Sequence, residues 1–562
     1  MLTKPIINKM GANRSFELES FVRDNIRVLK PYSTARQESG LKNALFLDAN
    51  ESPFDTGYNR YPQPVNESLK SVAAKYASPY PFEQESILTA KNVFAGNGSD
   101  EAIDLLIRIF CLPGKDNIVT LAPTYGMYKV AAAINDVSVK EYRLGSGFSL
   151  DAQDLLSTAD ENSKLLFLCS PNNPTGNLLE RNAVMDILEK FNGIVVIDEA
   201  YIDFSGDQGY ISCLNDYPNL VILRTMSKSR GLAGLRVGFA YACEKIISYM
   251  DMVKYPYNLN INSQRVAIKS FVQDGMESVK SIMDERESLA IELSKVKGVN
   301  KVYPSKANFL LVDIDNPAEK VKMLKKHGVV IRDRSKEPGC EGCVRISVGK
   351  RAQNDLLLDL LNGKIDKVFQ DKMEFSRITN ETSVTLTLFP DDNKVREIHS
   401  GIGFLDHMLD LFCVHSGVGM DLYVIGDLDV DQHHTIEDIA IVLGEAIAAM
   451  YKSKNKGYNR YGFALPMDES RAEVLLDLGG RFSFEWDVKF EFEFTGDFPV
   501  QMYSHFFETL ASNGKFNLQM KASGKNDHHI AEALFKAFAR SLRIALSNNV
   551  ADYELASSKG LV

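Results

Sequence analysis

The sequence predicts two folded units in one chain: an α/β unit built on a largely parallel sheet, followed by an α+β unit made from a duplicated half-domain. Between residues 90 and 250, short β-rich runs alternate with helical patterns, as expected of strands covered by helices. After residue 374 alternating strands dominate, and two similar helical stretches recur there, which indicates an internal repeat. The length of 562 residues also exceeds what one ordinary core accommodates.

Four apolar runs mark predicted strands of the first unit: NIVTLAP (117–123), KLLFLCS (164–170), GIVVIDEA (193–200) and LVILRTMS (220–227). Functional loops are expected at the carboxyl ends of such strands. Residues 280–365 mix helices with a few strands, as a smaller α+β lobe would. The predicted boundaries are a large domain over 61–275, a small lobe from 20–60 and 280–365, a first unit over 1–368, a linker over 369–374, and a second unit over 375–562.

Composition and charge narrow the classes of function. The formal net charge of −10 argues against a nucleic-acid or anionic-membrane surface and is compatible with small acidic metabolites. No apolar stretch approaches the roughly 18 residues of a membrane span, and the seven cysteines are scattered as reduced thiols would be. We expect a cytoplasmic protein, and we assign no function to the one close pair, Cys340 and Cys343.

Lys228 stands just after the fourth of these predicted strands, among small hydroxylated residues. A lysine on a rigid strand end can form a Schiff base with a carbonyl cofactor. A solvated surface lysine is the alternative, but neighbouring motifs supply other parts of the same site. Asp198 ends a buried strand, where its carboxylate can pair with a protonated pyridine nitrogen, and Tyr201 can hydrogen-bond the ring hydroxyl.

Three loops complete this predicted cofactor site. A glycine-bearing turn runs into a helix at Ser99 and Asp100, whose amides can hold a phosphate. The tight loop SPNNPTG aims Asn173 at the ring hydroxyl, and the loop PTYGMY offers Tyr125 for stacking on the ring face.

The order and spacing of these elements resemble fold-type I aminotransferases, which bind pyridoxal 5'-phosphate (PLP). Within that class, residues 20–365 resemble the histidinol-phosphate aminotransferases. The start of this chain, with the segments LKPYSTARQ, LDANESPFD and NRYPQP, looks like the N-terminal arm and the substrate-side segment of that family. The resemblance implies that Thr225, Ser227 and Arg236 complete the phosphate cup. It also implies a dimer in which Tyr61 reaches the cofactor phosphate of the neighbouring subunit.

Two arginines of the predicted small lobe, Arg332 and Arg345, stand on separate segments. Guanidinium groups in such pairs bind carboxylate or phosphate, and structural salt bridges are the alternative. In the family that the sequence resembles, the first binds the substrate phosphate and the second the α-carboxylate or, in the other half-reaction, phosphate. The implied reaction passes the amino group of glutamate to imidazole-acetol phosphate and yields L-histidinol phosphate, with Lys228 moving the proton. An aromatic amino-acid aminotransferase is the nearest alternative.

Histidines crowd the second unit, and two motifs stand out, HHTIE (433–437) and HHIAE (528–532), each preceded by a further histidine. If the motifs are helical, the first histidine and the glutamate of each share a face, whereas the second histidine points about 100° away. Adjacent histidines are therefore expected to serve different metals. Six imidazoles and two carboxylates suit two octahedral Mn²⁺ or Fe²⁺ ions. The predicted ligands are His407, His433, His434, Glu437, His505, His528, His529 and Glu532.

From residue 374 onward the motifs resemble imidazoleglycerol-phosphate dehydratases. The signs include RITNETSV, GIGFLDHML, DQHHTIED, MDES and the tail SSKG. The resemblance implies two Mn²⁺ ions per active site, which bind the substrate's imidazole ring while water is eliminated from its side chain. It implies Glu381 as a proton carrier, and it implies phosphate ligands, any of which could instead be a surface group, at Arg460, Arg481, Lys536 and Ser558.

Some positions lie outside this pattern. His399 and His415 fall outside the repeat, and we interpret them as structural. Leu411 and Arg471 depart from the family's motifs, which puts fine substrate contacts in doubt but touches no predicted metal ligand.

The dehydratase product is the aminotransferase substrate, so one chain would catalyse two consecutive steps of histidine biosynthesis. The resemblance implies aminotransferase dimers and dehydratase trimers, and twelve dimers around a 24-subunit shell satisfy both symmetries. We expect phosphorylated imidazole substrates and glutamate as partners, and neither nucleic acid nor membrane. A metabolite-sensing regulator is the rival for the first unit and a metal-storage cage for the second, although Lys228 and Glu381 favour catalysis.

Overall fold

The structure is a computed structural model, and it describes residues 16–30, 38, 45–78, 88–272, 277–364, 372–390, 393, 395–452 and 460–546. The chain divides into two compact units, Met1–Lys367 and Val368–Val562. None of the described helices has both the length and the apolar character needed to cross a membrane.

Seven strands form the central sheet of the first unit: β1 (Val93–Asn97), β2 (Asn117–Ala122), β3 (Ser138–Arg143), β4 (Ser163–Cys169), β5 (Ile194–Asp198), β6 (Leu220–Thr225) and β7 (Val237–Ala242). They lie in the order β1-β7-β6-β5-β4-β2-β3. From β3 to β6 neighbouring strands run parallel, as the sequence predicts, whereas β7 is antiparallel to both of its neighbours. The carboxyl ends of β5 and β6 therefore lie side by side, at Asp198 and Thr225.

Helices cover both faces of this sheet: α1 (Asp24–Arg27), α2 (Glu67–Lys75), α3 (Ser99–Phe110), α4 (Met127–Ile134), α5 (Ala152–Thr158), α6 (Arg181–Lys190), α7 (Glu244–Val253) and α8 (Ile261–Val272). Alternate side chains of one strand enter opposite apolar clusters, so that Leu166 of β4 joins one cluster and Phe167 joins the other. Because both faces are buried, the strands read as continuous apolar runs in the sequence.

One segment lies elsewhere than predicted. Residues 20–60 were predicted to belong to the small lobe, but Val22 and Ile26 pack in the same cluster as Phe94 of β1 and Ile109 of α3. The amide of Arg23 also donates to the carbonyl of Ile109 over 3.0 Å. The start of the described chain thus belongs with the large sheet, because that is where its apolar side chains are buried.

The small lobe has a four-stranded antiparallel sheet in the order β10-β11-β9-β8. Its elements are α9 (Glu277–Leu293), β8 (Val299–Val302), β9 (Phe309–Ile314), α10 (Pro317–Lys326), β10 (Arg332–Asp333), β11 (Cys343–Ser347) and α11 (Arg351–Leu361).

The second unit contains the predicted duplication. The first half comprises β12 (Met373–Ile378), β13 (Thr382–Phe389), β14 (Arg396–His399), α12 (Gly403–Ser416), β15 (Gly419–Gly426) and α13 (His433–Lys452). The second half comprises β16 (Arg460–Met467), β17 (Ser470–Asp477), β18 (Ser483–Val488), β19 (Phe494–Thr495), β20 (Phe498–Pro499), α14 (Gln501–Gly514), β21 (Asn517–Ser523) and α15 (Asp527–Leu546). The four-stranded sheets have matching orders, β12-β13-β15-β14 and β16-β17-β21-β18, and each has one parallel pair at its end. Met373 and Glu374, predicted to lie in the linker, already pair with β13.

Helices from opposite halves pack against each other in this unit, α12 against α15 and α13 against α14. Gly444 of α13 permits the close packing of α13 on α14, because a Cβ at this position would lie 2.6 Å from the carbonyl oxygen of Leu510 on α14. The two halves therefore share one core, and side chains from both halves can meet along each helix pair.

We expect Gly444→Ala to lower the free energy of unfolding of the second unit by roughly 1–3 kcal/mol, because the added methyl group forces the two helices apart. Alanine ordinarily stabilises a helix relative to glycine by about 1 kcal/mol, so the sign of the change tests the close approach. Thermal unfolding followed by circular dichroism measures it, with Glu445→Ala, an exposed position on the same helix, as the control. An unchanged or raised midpoint for Gly444→Ala contradicts the packing argument.

Candidate functional sites

A cavity of about 150 Å³ lies at the carboxyl ends of the central strands of the first unit. Every predicted cofactor residue except Tyr61 lines it: Ser99, Asp100, Tyr125, Asn173, Asp198, Tyr201, Thr225, Ser227, Lys228 and Arg236. Tyr61 is half-exposed and stacks on Tyr257, with 4.5 Å between the ring centroids. The sequence motifs, which are far apart along the chain, thus converge on one site.

One part of this cavity suits a phosphate group. Helix α3 begins at Ser99, so its first amides have no partner within the helix and its dipole favours an anion. The hydroxyl of Thr225 donates to that of Ser227 over 3.0 Å, and Arg236 adopts a left-handed φ of 56°. Gly238 allows the main chain of β7 to lie against the start of α3, because a Cβ on this residue would collide with the amide nitrogen of Ser99.

Asp198 is a buried carboxylate that forms no ion pair among the described residues, although the charge of Lys228 helps to lower its pKa against the effect of burial. Its Oδ2 accepts a hydrogen bond of 2.7 Å from the hydroxyl of Tyr128, and its Oδ1 accepts one of 3.0 Å from the amide of Ala200. Burial raises the pKa of Asp198, and no salt bridge among the described residues reaches it. A protonated nitrogen placed in the cavity would supply the missing cation.

Tyr128 is a site residue that the sequence analysis missed. It is fully buried, and its ring stacks on Phe167 of β4 at 4.8 Å. The only indication of Tyr128 in the sequence was that it is the second tyrosine of PTYGMY. The sequence of that segment does not show which of its two tyrosine rings is buried. Tyr125 instead donates its hydroxyl hydrogen to Asp100 over 3.1 Å.

The amine of Lys228 is more than half buried, and burial is the main cause that lowers its pKa, followed by the positive charge of Arg345. Its Nζ lies 5.5 Å from the centre of the Tyr201 ring. A lowered pKa increases the neutral fraction of the amine, which is the form that acts as a nucleophile or a base.

The small lobe contributes arginines to this region. Arg332 and Arg345 are direct partners across β10 and β11. Arg345 donates to Oδ1 of Asn173 over 2.5 Å, and its buried Nε has no hydrogen-bond partner among the described residues. Arg334, which was not predicted as a site residue, directly follows β10. Burial is the main cause that lowers the pKa of Arg345, and the positive charge of Arg334 is the next.

Two clusters in the second unit each join a histidine of one half to a histidine and a glutamate of the other. The first contains His407 of α12 with His528 and Glu532 of α15. The second contains His505 of α14 with His433 and Glu437 of α13. In each cluster the candidate ligand atoms lie within 4.8 Å of one another. The crossed packing of the four helices thus builds both clusters, and neither half could build one alone.

The remaining predicted ligands, His434 and His529, belong to neither of these clusters, as the helical spacing predicts. His529 lies instead in a third group of candidate ligands, with Asp468 and Glu469, whose ligand atoms are within 4.8 Å of one another. His434 donates from Nδ1 to Oδ2 of Asp427 over 2.9 Å. His529 donates from Nδ1 to the carboxylate of Glu469, with 3.0 Å to Oε2. His399 and His415 belong to no candidate metal cluster among the described residues.

Glu381 lies in the turn between β12 and β13, beside His434. Asp438 of α13 fixes this hairpin to the helix: it accepts from Nε of Arg377 over 2.6 Å and from the hydroxyl of Thr382. Among the described residues, none forms a hydrogen bond or an ion pair with the carboxylate of Glu381.

The predicted phosphate ligands of the second unit are found in different settings. Lys536 donates to Oε2 of Glu532 over 2.7 Å and is 15% exposed. Arg460 is paired with Asp477 at 2.8 Å, and Arg481 is exposed. Ser558 and the tail around it lie outside the described residues.

The fold and the lysine–aspartate cavity define the first unit as a fold-type I aminotransferase, and residues 47–361 match the family model of class I and II aminotransferases. The chain belongs to this family and, within it, to the histidinol-phosphate aminotransferases. Histidinol-phosphate aminotransferases of Flavobacterium psychrophilum and Cytophaga hutchinsonii are 43% and 45% identical over 350 and 355 residues, 62% of this chain and 99% of each relative. A solved histidinol-phosphate aminotransferase of Clostridium acetobutylicum is 26% identical, covers 55% of this chain and 92% of that one, and gives a TM-score of 0.49.

Residues 400–542 match the family model of imidazoleglycerol-phosphate dehydratase. The second unit is a domain of that kind, and the chain is a bifunctional enzyme of histidine biosynthesis. The first family implies PLP, and the second implies a metal ion.

The residues of the first site fit PLP, and those of the second fit a metal ion. In the first unit the buried carboxylate of Asp198 forms no ion pair among the described residues, and a helix begins at the edge of the same cavity. In the second, Nε2 of His505 is buried and has no hydrogen-bond partner among the described residues, although a glutamate oxygen lies 3.5 Å away. A metal ion is the partner that such a nitrogen suits.

We expect Tyr128→Phe to weaken PLP binding roughly tenfold or more, because a hydrogen bond to a charged group contributes about 1.5–3 kcal/mol. That bond also lowers the pKa of Asp198 against the effect of burial. Without it the carboxylate protonates at a higher pH, so the pH below which affinity is lost should move upward. Titration of the apoprotein with PLP at several pH values measures both effects, with the buried Tyr249→Phe as the control. Equal affinities across the pH range would show that Asp198 does not depend on Tyr128.

Proposed function

We propose that the chain catalyses two consecutive reactions. The second unit removes water from imidazoleglycerol phosphate and gives imidazole-acetol phosphate, and the first unit transfers the amino group of glutamate to that product, giving L-histidinol phosphate. The observation that best supports this proposal is that one chain contains both the Lys228–Asp198 cavity and the two histidine–glutamate clusters. We propose the cytoplasm as its location, where the unpaired cysteines would remain reduced.

In the first site, the protein groups would hold PLP from its phosphate to its ring nitrogen. The amides of Ser99 and Asp100, the hydroxyls of Thr225 and Ser227, and Arg236 would bind the phosphate. Asp198 would pair with the ring nitrogen, Asn173 and Tyr201 would hydrogen-bond the ring hydroxyl, and Tyr125 would stack on the ring. Tyr61 of a second subunit would complete the phosphate site, so the active form would be a dimer.

PLP when bound supplies a carbonyl for the amine of Lys228 and an electron sink that stabilises negative charge on the substrate carbon. Lys228 would then move the substrate proton through its Nζ, and the burial that lowers its pKa supports this role. Arg345, with its unpartnered Nε, would bind the α-carboxylate of glutamate, and Arg332 opposite it would bind the substrate phosphate.

In the second site, two Mn²⁺ ions would be bound by the eight predicted histidine and glutamate ligands. Bound metal ions withdraw charge from an imidazole ring and so make the adjacent C–H bond of the substrate more acidic. The unpaired carboxylate of Glu381 would carry that proton. The buried position of Lys536 beside Glu532 supports a role toward substrate phosphate, and Arg460, Arg481 and Ser558 would share it.

Incubating the PLP- and Mn²⁺-loaded protein with imidazoleglycerol phosphate and glutamate should yield histidinol phosphate, detected by mass spectrometry. Lys228→Ala should stop the sequence at imidazole-acetol phosphate, and His433→Ala should leave imidazoleglycerol phosphate unconsumed. Imidazole-acetol without its phosphate should be a poor amino acceptor. Absence of turnover in the wild-type protein would exclude both activities, and equal use of the phosphate-free acceptor would favour a different aminotransferase substrate.

The first unit should form dimers and the second unit trimers, so the oligomer must have both two-fold and three-fold symmetry. Twelve aminotransferase dimers around a 24-subunit dehydratase shell satisfy both symmetries. Native mass spectrometry of the Mn²⁺-loaded protein should therefore give a 24-mer. Free dimers with full dehydratase activity would contradict this arrangement.

A further inference from the structure

His434 and His529 stand apart from the two histidine–glutamate clusters, and each is held by a carboxylate. Each is the second histidine of its pair, and their side chains are 38% and 27% exposed. Nδ1 of His434 lies 2.9 Å from Oδ2 of Asp427, and Nδ1 of His529 lies 3.0 Å from Oε2 of Glu469. Asp468 lies 3.7 Å from Nε2 of His529, too far for a hydrogen bond.

These contacts decide which ring nitrogen can bind a metal. An ionised carboxylate only accepts hydrogen bonds, so Nδ1 of each ring must carry the hydrogen. In a neutral imidazole the other nitrogen, Nε2, then keeps a free electron pair, the form that binds a metal ion. A carboxylate behind a ligand histidine also fixes the orientation of the ring.

We propose that Asp427 and Glu469 are positioning residues of the dehydratase metal centre: each fixes the tautomer and orientation of the outward-facing histidine of its own half. The inference rests on the proposed function of the second unit. It assigns a role to two carboxylates that contact Nδ1 of a histidine, and neither was among the residues predicted from the sequence.

The two halves can be compared position by position because they are duplicated, and they use different carboxylates. Glu381 and Glu469 occupy equivalent places, each directly before the second strand of a hairpin that continues with a buried hydroxyl residue, Thr382 or Ser470. In the second half this glutamate contacts its histidine. In the first half the same contact is made by Asp427, so the carboxylate of Glu381 remains unpaired among the described residues.

The connection between sheet and helix accounts for this asymmetry. In the first half it spans residues 427–432, and Asp427 stands at its start. In the second half it spans only residues 524–526. The next carboxylate along the chain, Asp527, is buried and accepts hydrogen bonds from the amides of Glu491 and Phe492. The longer connection supplies the first half with a separate carboxylate for positioning, which leaves Glu381 available to carry a proton.

Binding of Mn²⁺ to the full-length protein, measured by calorimetry or by the electron paramagnetic resonance signal of free Mn²⁺, tests this inference. Glu469→Ala and Asp427→Ala should each weaken Mn²⁺ binding roughly 10- to 100-fold, the usual effect of losing such a partner. High Mn²⁺ should restore most of their dehydratase turnover. Glu381→Gln should do the opposite: it should bind Mn²⁺ as the wild type does and lose turnover that added Mn²⁺ cannot restore.

Matched variants keep the test interpretable. Glu473→Ala removes an exposed carboxylate from the same strand as Ser470 and should leave Mn²⁺ affinity unchanged. Glu469→Gln keeps the shape and an acceptor oxygen, so it should bind Mn²⁺ more tightly than Glu469→Ala. This variant separates a positioning role from misfolding of the second unit.

Wild-type Mn²⁺ affinity in both Glu469→Ala and Asp427→Ala would overturn the inference while leaving the proposed function intact. A loss of turnover in these variants that Mn²⁺ does not restore, at unchanged affinity, would also overturn it, because the carboxylates would then act on the substrate. Failure of the wild-type protein to bind Mn²⁺ or to dehydrate imidazoleglycerol phosphate would instead remove the proposed function itself.

Discussion

Asp198 places a buried carboxylate at the carboxyl end of β5, in the large sheet, and the first site is organised around what that carboxylate requires. A buried charge is costly unless it is paired and hydrogen-bonded. Tyr128 and the amide of Ala200 supply hydrogen bonds, but neither supplies a positive charge. A ligand that brings a protonated nitrogen would therefore stabilise this carboxylate. Burial has the opposite effect on the pKa of Lys228. It lowers that pKa, which disfavours the charged ammonium and favours the neutral, reactive amine.

The same constraint organises the second unit, where carboxylates meet histidines at the ends of packed helices. Glu532 is nearly buried, and it contacts His407 at 3.1 Å and Lys536 at 2.7 Å. Asp438, also buried, fixes the hairpin that carries Glu381. Glu532 and Asp438 thus have defined partners, whereas the carboxylate of Glu381 has no hydrogen bond or ion pair within the described part of the chain. An unpaired carboxylate next to a metal centre is suited to carry a proton.

Much of this could be inferred from sequence because the local patterns are strong. Apolar runs that end in Asp198 or precede Lys228 are typical of parallel strands with functional loops, and HHTIE and HHIAE have the spacing of a helical face. The site residues outside those patterns were missed. Tyr128 acts through a hydrogen bond 70 residues away in sequence, and Glu469 acts through one 60 residues away. The segment around Val22 was assigned to the small lobe, whereas its apolar side chains are buried against the large sheet; a local sequence pattern does not say which core an element joins.

The sequence by itself determined the residue types, the order of the elements and the duplication, because these depend on local periodicity and on motifs that are written in the chain. Only the tertiary structure decided which half supplies which ligand. The packing of α12 on α15 and of α13 on α14 puts His407 beside His528 and His505 beside His433, a crossing that no local pattern specifies. It likewise decided that Asp427, rather than Glu381, holds His434, because that choice follows from the length of a connection and the distances it allows.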